Sequence, residues 1–279
     1  MPFNDTGIRW TDKTWNPVHG CSKTSEGCKN CYAEAVSHRF NHTEQPWTVQ
    51  HVGENITLKE RQLSERLRDP CWVFVNSMSD LLHPAVPDSF VAATFDACYD
   101  MGESAFQILT KHGADNDRDL HAAPPTNVML GVSVESARRQ YRIDWLRDQP
   151  ATTKFISFEP LVECIPDPDL SGIDWAIIGG ESGSADARRE MPSAWARNLV
   201  RACRRQDVAV FFKQHSGSFA ETNVRLDMQD GRGARRIEEF PELPDHVVPA
   251  PSEFLQAPKA ADGGFTNTAE VGPDGGDGT

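Results

Sequence analysis

The chain has no apolar run approaching the roughly 20 residues that a membrane span needs. Its first seven residues, Met-Pro-Phe-Asn-Asp-Thr-Gly, lack the charged-then-apolar plan of a secretory signal. A cytoplasmic protein with no membrane partner is therefore expected. Positive charge is also in short supply. Lys and Arg total 28 against 41 Asp and Glu, for a formal net charge of −13, so no overall basic field exists to gather phosphate backbones, and net charge does not support a nucleic-acid partner. Internal repeats of fixed period are missing, which excludes solenoids and propellers. A disulfide framework is excluded too, because the seven cysteines are odd in number and the chain reads as cytosolic. Four of them, Cys71, Cys98, Cys164 and Cys203, stand far apart beside apolar segments and read as small buried hydrophobes. Three remain.

What is present is a rhythm. Apolar, β-branched or aromatic runs of about five residues recur at Cys71–Val75, Phe106–Leu109, Val128–Val132, Lys154–Phe158, Trp175–Ile178 and Val208–Phe212, each ending abruptly in polar residues. Such runs suit strands buried on both faces of a parallel sheet. An extended stretch around Thr14–Val18 would be the first strand. Helical patterns lie between them: Asp88–Met101 with Asp88 as N-cap, Glu135–Leu146, and Pro192–Cys203. Alternation of this kind demands parallel pairing through crossovers. The expected fold is α/β, a partial (β/α)6–7 TIM-like barrel over residues 1–217. A Pro-interrupted C-terminal extension, 218–256, and an acidic Gly-rich tail expected to be disordered, 257–279, follow it.

Barrel chemistry sits at the carboxyl ends of the strands. Those positions carry Asp80, Lys111, Glu135, Glu159, Glu181 and Lys213. The Arg-rich patches, Arg138/Arg139/Arg142, Arg188/Arg189 and Arg201/Arg204/Arg205, read as solvated helix faces. The glycines of Gly179-Gly180-Glu181-Ser182-Gly183 match neither a phosphate loop nor a dinucleotide fingerprint. They would let the backbone approach a ligand while Glu181 points inward.

The three remaining cysteines fall within eleven residues: Cys21, six residues, Cys28, two residues, Cys31. A C-x2-C pair puts two thiolates on one tight turn, close enough to grip a metal or one face of a cluster. Gly20 and Gly27 each precede a cysteine, where the loop must bend. A four-iron cubane held by three thiolates keeps one iron open for another ligand. Zinc is the rival, with His19 completing a closed Cys3His site, and unliganded thiols are the third reading.

A cysteine trio after the first strand of a partial barrel resembles the radical S-adenosylmethionine superfamily. The spacing differs from the usual C-x3-C-x2-C by three residues, and the aromatic usual before the third cysteine is Asn30, with Tyr32 just after it. A closer resemblance spans roughly residues 7–216. It is carried by Thr11-Asp12-Lys13-Thr14-Trp15-Asn16-Pro17, Cys31-Tyr32-Ala33-Glu34, Val75-Asn76-Ser77-Met78-Ser79-Asp80, Leu130-Gly131-Val132-Ser133-Val134-Glu135, Gly179-Gly180-Glu181-Ser182-Gly183 and Phe211-Phe212-Lys213-Gln214. These strings look like a phage-borne protein family, sometimes called the three-Cys-motif family.

The resemblance implies a [4Fe–4S] cluster on Cys21, Cys28 and Cys31, with S-adenosylmethionine on its open iron. One-electron reduction from an external donor would cleave S-adenosylmethionine to methionine and a 5′-deoxyadenosyl radical, which abstracts hydrogen from a substrate. A separately encoded partner protein is also implied; a substrate is not, although phage association suggests a nucleobase or nucleotide. Cofactor contacts would come from Asn76, Ser77, Asp80, Lys111, Ser133, Glu135, Glu159, Gly179 and Gly180, with Glu181 and Lys213 as catalytic candidates. Trp10, Trp15 and Tyr32 either stack on a base or pack around the cluster. Two other classes stand beside this one. A zinc-stabilised binding module for nucleic acid or protein would leave the strand-end carboxylates dispensable. A metal-dependent hydrolase ranks last, because the nine His place no H-x-x-x-H or H-x-H cluster at strand ends.

Overall fold

A computed structural model describes residues 2–120 and 123–248. The tail at 257–279 and the end of the extension, 249–256, lie outside the described residues. The strands are β1 (Phe3–Asp5), β2 (Lys13–Trp15), β3 (Val18–His19), β4 (Thr57–Leu58), β5 (Trp72–Val75), β6 (Ala105–Thr110), β7 (Val128–Ser133), β8 (Thr153–Phe158), β9 (Trp175–Gly179), β10 (Ala209–Gln214), β11 (Leu226–Asp227) and β12 (Ala234–Arg235). The α-helices are α1 (Tyr32–Arg39), α2 (Val52–Asn55), α3 (Asp88–Tyr99), α4 (His112–Asp115), α5 (Tyr141–Asp148) and α6 (Ser193–Arg205).

Eight strands form one sheet in the order β1-β2-β5-β6-β7-β8-β9-β10. All neighbours from β2 to β10 pair in parallel, and only β1 runs antiparallel to β2. Because side chains alternate across a strand, the two faces bury different sets. Val73, Phe106, Ile108, Leu130, Ile156 and Val210 join a core with Phe95 of α3, Leu146 of α5 and Leu199 of α6. Trp72, Phe74, Met129, Phe155, Trp175 and Phe211 form a separate aromatic-rich core on the other face.

That second core reveals the sheet's shape. Trp72 on β5 and Trp175 on β9 have ring centroids 6.2 Å apart. Strands four places apart in a flat sheet would lie about 19 Å from each other. The sheet is therefore strongly curled, with the aromatics filling its concave side. Trp10, just before β2, reaches across to Trp175 with centroids at 6.1 Å. No hydrogen-bonded ladder joins β10 to β1 or β2 among the described residues, so the sheet stays open. A side chain spans the seam instead: Arg9 donates to the carbonyls of Lys213 at 2.7 Å and Phe212 at 3.5 Å.

The segment after Gly217 contributes more order than its prolines suggest. β11 and β12 pair as a small antiparallel unit, Leu226 opposite Arg235. Residues 237–239 run antiparallel to the free edge of β10, covering backbone groups that an open edge would leave unpaired. Beyond them Phe240 stacks on Trp175 at 5.7 Å and Val247 joins the concave core.

Two helix boundaries differ from the sequence pattern. Pro87, with extended backbone, occupies the N-cap of α3, and Asp88 is the first helical residue, ion-paired with Arg118. The helix expected over Glu135–Leu146 begins as a short 3-10 turn at Ala137–Arg139, and α5 starts only at Tyr141. Val162 N–H donates to the Glu135 carbonyl at 3.0 Å, which holds Glu135 outside any helix.

Candidate metal centre and cavity

The cysteine loop leaves β3 through Gly20, whose φ of +81° is unfavourable for any residue with a side chain. An added Cβ there would lie 2.0 Å from the Asn55 carbonyl oxygen. Gly27 is held equally close to the buried Glu135, where a Cβ would come within 2.4 Å of Oε1. A 3-10 turn covers Glu26–Cys28, and Cys31 caps the start of α1.

Between these points the loop is fastened to the carboxyl ends of four strands. Near β5, His83 accepts the Ala85 N–H at Nδ1, so its proton sits on Nε2 and is donated to Ser22 Oγ at 2.9 Å. After β6, His112 Nε2 donates to the Ser22 carbonyl at 2.7 Å, and Asp115 accepts from Thr24 Oγ1 at 2.6 Å. After β7, Glu135 Oε1 accepts from Ser25 Oγ at 2.7 Å, while Arg139 and Ser136 grip the Glu26 carboxylate. Burial opposes ionisation of Glu26, but Arg139 and Ser136 outweigh it and hold its carboxyl down at about 2. After β9, Glu181 accepts from Asn30 Nδ2 at 3.0 Å, and Arg189 donates to the Glu26 carbonyl at 2.8 Å.

All three cysteines line one cavity of about 720 Å³, within the range of small-molecule sites. Burial pushes the Cys21 thiol up, and Asp80, Cys28 and Cys31 add to it. Burial raises Cys31 as well, against the N–H groups of Glu34 and Ala33 at the start of α1. Thiols that crowd one another in this way ionise when a cation joins them. No three His, Cys, Asp or Glu side chains among the described residues converge on the position of a single metal ion. A lone tetrahedral zinc needs thiolates about 3.8 Å apart, from Zn–S of about 2.3 Å. His19 is engaged elsewhere: its Nε2 faces Lys59 Nζ at 2.8 Å, and burial, Lys59 and His42 lower it to about 4.

Of the strand-end candidates, Asn76, Ser77, Asp80, Lys111, Ser133, Glu159, Gly180, Glu181 and Lys213 line this cavity. Asn76 has φ +61°, accepts the Val18 N–H at Oδ1, and leaves its buried Nδ2 without a partner among the described residues. Ser77 donates to Asn16 Oδ1 at 3.2 Å and its carbonyl accepts from Tyr32 at 2.6 Å. Lys111 donates to Ser133 at 2.9 Å and lies 3.7 Å from Glu135. Burial pulls Lys111 down, yet Glu135 first, then Cys28 and Cys31, raise it overall, so it stays an ammonium. Lys213 is similarly buried, and Glu159 at 2.7 Å with Glu221 beyond outweighs that burial.

Other candidates sit differently from the sequence pattern. Asp80 accepts four hydrogen bonds, from Leu82 N, Thr110 Oγ1, Lys111 N and His112 N, which occupy both oxygens and clasp β5 to β6. Glu135 stands behind the wall, fully buried, between Ser25 and Arg142. Glu181 takes two-point contact from Arg189, which lowers its carboxyl against the effect of burial. The space beside Gly180 belongs to the protein's own chain, since a Cβ would lie 2.4 Å from Ser216 N. Gly179 faces Glu159 in the same manner, at 3.1 Å from its Cδ.

Several groups that build the site carry no local signal. Arg142, in a patch that reads as solvated, is 0% exposed. It donates to Asp115 at 2.6 and 2.8 Å, to Glu135 at 2.8 Å and to the Ser133 carbonyl at 2.7 Å. Glu221 enters the cavity wall from the segment after β10, tethered by Arg9 at 3.0 Å. Only the amphipathic spacing of α5, which places Arg142 beside Ile143 and Leu146, could have hinted at one of them. No helix of the described residues is long and apolar enough to cross a membrane. No curated protein and no solved structure matches the chain. A family profile does match, over residues 5–247, and the chain belongs to that family, DUF5131, described as proteins of unknown function.

Proposed function

We propose that this chain is a radical S-adenosylmethionine enzyme of the three-Cys-motif kind, built on a partial (β/α) barrel. Cys21, Cys28 and Cys31 would hold a [4Fe–4S] cluster, and the adjoining cavity would receive S-adenosylmethionine and a substrate. One observation carries this: the three thiols and the strand-end polar groups line the same cavity. The parallel, curled sheet with helices on its outer face suits such a barrel.

Held by Cys21, Cys28 and Cys31, a cluster recharged by an external reductant would supply one-electron chemistry for splitting S-adenosylmethionine into methionine and a 5′-deoxyadenosyl fragment. The chain's own residues bind and orient. Asn76 Nδ2, a buried donor without a partner, suits the cofactor's carboxylate, and the Lys111 ammonium, positioned by Glu135 and Ser133, adds charge of the right sign. Ser25, anchored by the hydrogen bond it donates to Glu135, packs 3.5 Å from Cys28 Sγ and fixes the loop beside the middle cysteine. Aromatic and apolar walls, including Trp10, Phe74 and Leu109, keep water from the reacting atoms.

Anaerobic reconstitution with iron and sulfide tests the assignment. The expected result is a brown protein that, with a strong reductant, releases methionine and 5′-deoxyadenosine from S-adenosylmethionine. Cys28→Ala should lose iron and cleavage while keeping its far-UV circular dichroism. A colourless protein carrying stoichiometric zinc, or a Cys28→Ala variant with full iron content, would overturn it.

A further inference from the structure

The ends of β8, β9 and β10 bring one donor and one acceptor together, and the backbone decides how. Side chains alternate along β8, so Phe155 fills the concave core, while Ser157 and, just past the strand, Glu159 line the cavity. The next strand, β9, ends in Gly179. A Cβ there would lie 3.1 Å from Glu159 Cδ, so the missing side chain is what lets Glu159 lean across β9. On β10 the pairing slips from Phe212 with Ile178 to Gln214 with Gly179, which leaves Lys213 as an extra residue. Such a bulge re-aims a side chain. Lys213 Nζ then meets Glu159 Oε1 at 2.7 Å over the top of β9.

Both groups line the cavity with capacity to spare, keeping 12% (Lys213) and 21% (Glu159) of their side-chain surface exposed. An ammonium has three N–H groups, and this one donates once, with Glu221 out of reach at 3.7 Å. Glu159 Oε2 accepts no hydrogen bond among the described residues, and it is not enclosed as Glu221 Oε1 is. Charge narrows what can join them. Lys213, Arg9 and Arg236 are balanced by Glu159, Glu221 and Glu238. A phosphate or carboxylate on Lys213 would face Glu159, and an ammonium on Glu159 would face Lys213, so an ion of either sign meets its own charge at close range. A neutral ligand does not. Hydroxyls suit the pair best, because each one donates and accepts and turns to the role required, and the Ser157 hydroxyl on the same wall can take either role too. Tyr32, Phe74 and Leu109 line the same cavity and give it apolar surface for a carbon skeleton.

We infer that Ser157, Glu159 and Lys213 form a substrate subsite for a polyhydroxylated ligand, a sugar or a ribose moiety with neighbouring free hydroxyls. One hydroxyl would donate to Glu159 Oε2 while its neighbour accepts from Lys213 Nζ. This names a substrate class for the radical-enzyme assignment and rests on it for its catalytic meaning, but binding itself needs neither cluster nor reductant. The ribose of S-adenosylmethionine carries the same chemistry, so the test separates that source from a substrate.

Saturation-transfer NMR titration of the full chain with D-glucose, D-ribose, uridine, 2′,3′-dideoxyuridine, glutamine and inorganic phosphate, with and without saturating S-adenosylmethionine, decides it. At least one of glucose, ribose and uridine should bind saturably in both conditions, at least tenfold more tightly than dideoxyuridine, glutamine or phosphate. Binding of a free sugar assigns a sugar substrate, and binding of uridine alone a nucleoside. Glu159→Gln, which removes the charge that steadies Lys213, should weaken that binding at least tenfold. Ser157→Ala, which removes a hydroxyl without a hydrogen-bond partner among the described residues, should weaken it at least threefold with an unchanged melting temperature, and it alone decides should Glu159→Gln fail to fold. The subsite is overturned if no hydroxyl ligand binds, if a control ligand binds equally well, if S-adenosylmethionine abolishes the binding, or if either folded variant binds as the parent does. Saturable, Ser157-dependent binding in a protein that fails to cleave S-adenosylmethionine would leave the subsite standing and sink the radical assignment alone.

Discussion

Replacing Arg142 by methionine takes one guanidinium away from two carboxylates in a place that water does not reach. Arg142 is fully buried and forks onto Asp115 at 2.6 and 2.8 Å while donating to Glu135 at 2.8 Å. Breaking a buried pair by removing one partner costs about 3–5 kcal/mol, because the remaining charge has no solvent to turn to. Against a total stability of about 5–15 kcal/mol, that is a large share. In a domain of this size the loss corresponds to a drop in melting temperature of about 6–20 °C. Thermal unfolding followed by circular dichroism at pH 7 reads it directly.

The pH dependence of that variant carries a sign as well. In the parent protein burial raises the Asp115 carboxyl, but hydrogen bonds from Arg142, Thr24 and Tyr141 lower it below its ordinary 3.8. A depressed folded value contributes stability above about pH 4 that is lost as pH falls through it. Without Arg142 the burial contribution dominates and the folded value rises. Protonation then relieves the variant, so its deficit should shrink between pH 7 and pH 5 while the parent changes little. Arg142→Lys keeps the charge but loses the fork, and should fall between the two. A methionine variant that melts within about 2 °C of the parent at pH 7 would refute the idea that this guanidinium holds the floor of the site.

Glu26→Gln should flatten the acid limb of the stability profile, since Glu26 titrates at about 2 against an ordinary 4.5, and its contribution is present above pH 4.5 and lost as pH falls toward 2; urea unfolding across pH 2–6 checks this. Gly20→Ala forces a side chain into left-handed backbone and into the Asn55 carbonyl, so we expect a loss of about 1–3 kcal/mol or more with displacement of the β3–β4 pair, read by denaturant midpoint and by iron content after reconstitution. Arg189→Ala frees the Glu181 carboxylate and one tether of the cysteine loop; the folded core should persist, with lower iron retention on gel filtration.

The strands were legible because each is a near-continuous apolar run of strand length, and all six expected runs lie within a residue or two of β5 to β10. The parallel order followed from helices between them, and the sheet order indeed follows chain order. The cysteine loop was legible too, because three thiols in eleven polar residues have no place in a core. Local pattern also indicated that polar side chains gather at the strand ends. It could not say which of them face the cavity and which serve the fold. Glu159 and Glu135 carry the same charge just after neighbouring strands, but Glu159 lines the cavity and Glu135 lies behind its wall.

What only the tertiary structure decided is partnership at long range. Arg9 and Glu221 stand 212 positions apart, and Asn30 and Glu181 stand 151 apart. No period or spacing links such residues, because their approach depends on how far the sheet curls, and the curl is set by Trp10, Trp72 and Trp175 packing on its concave face. A charged side chain in the sequence carries its own desolvation cost but no record of the group that offsets it. Arg142 therefore reads as a solvated face and proves to be the most deeply buried cation near the site. Composition and periodicity determined which residues enter the core and which stay at its rim. Only closure of the chain upon itself paired the charges, Arg142 with Asp115 and Glu135, and Lys213 with Glu159.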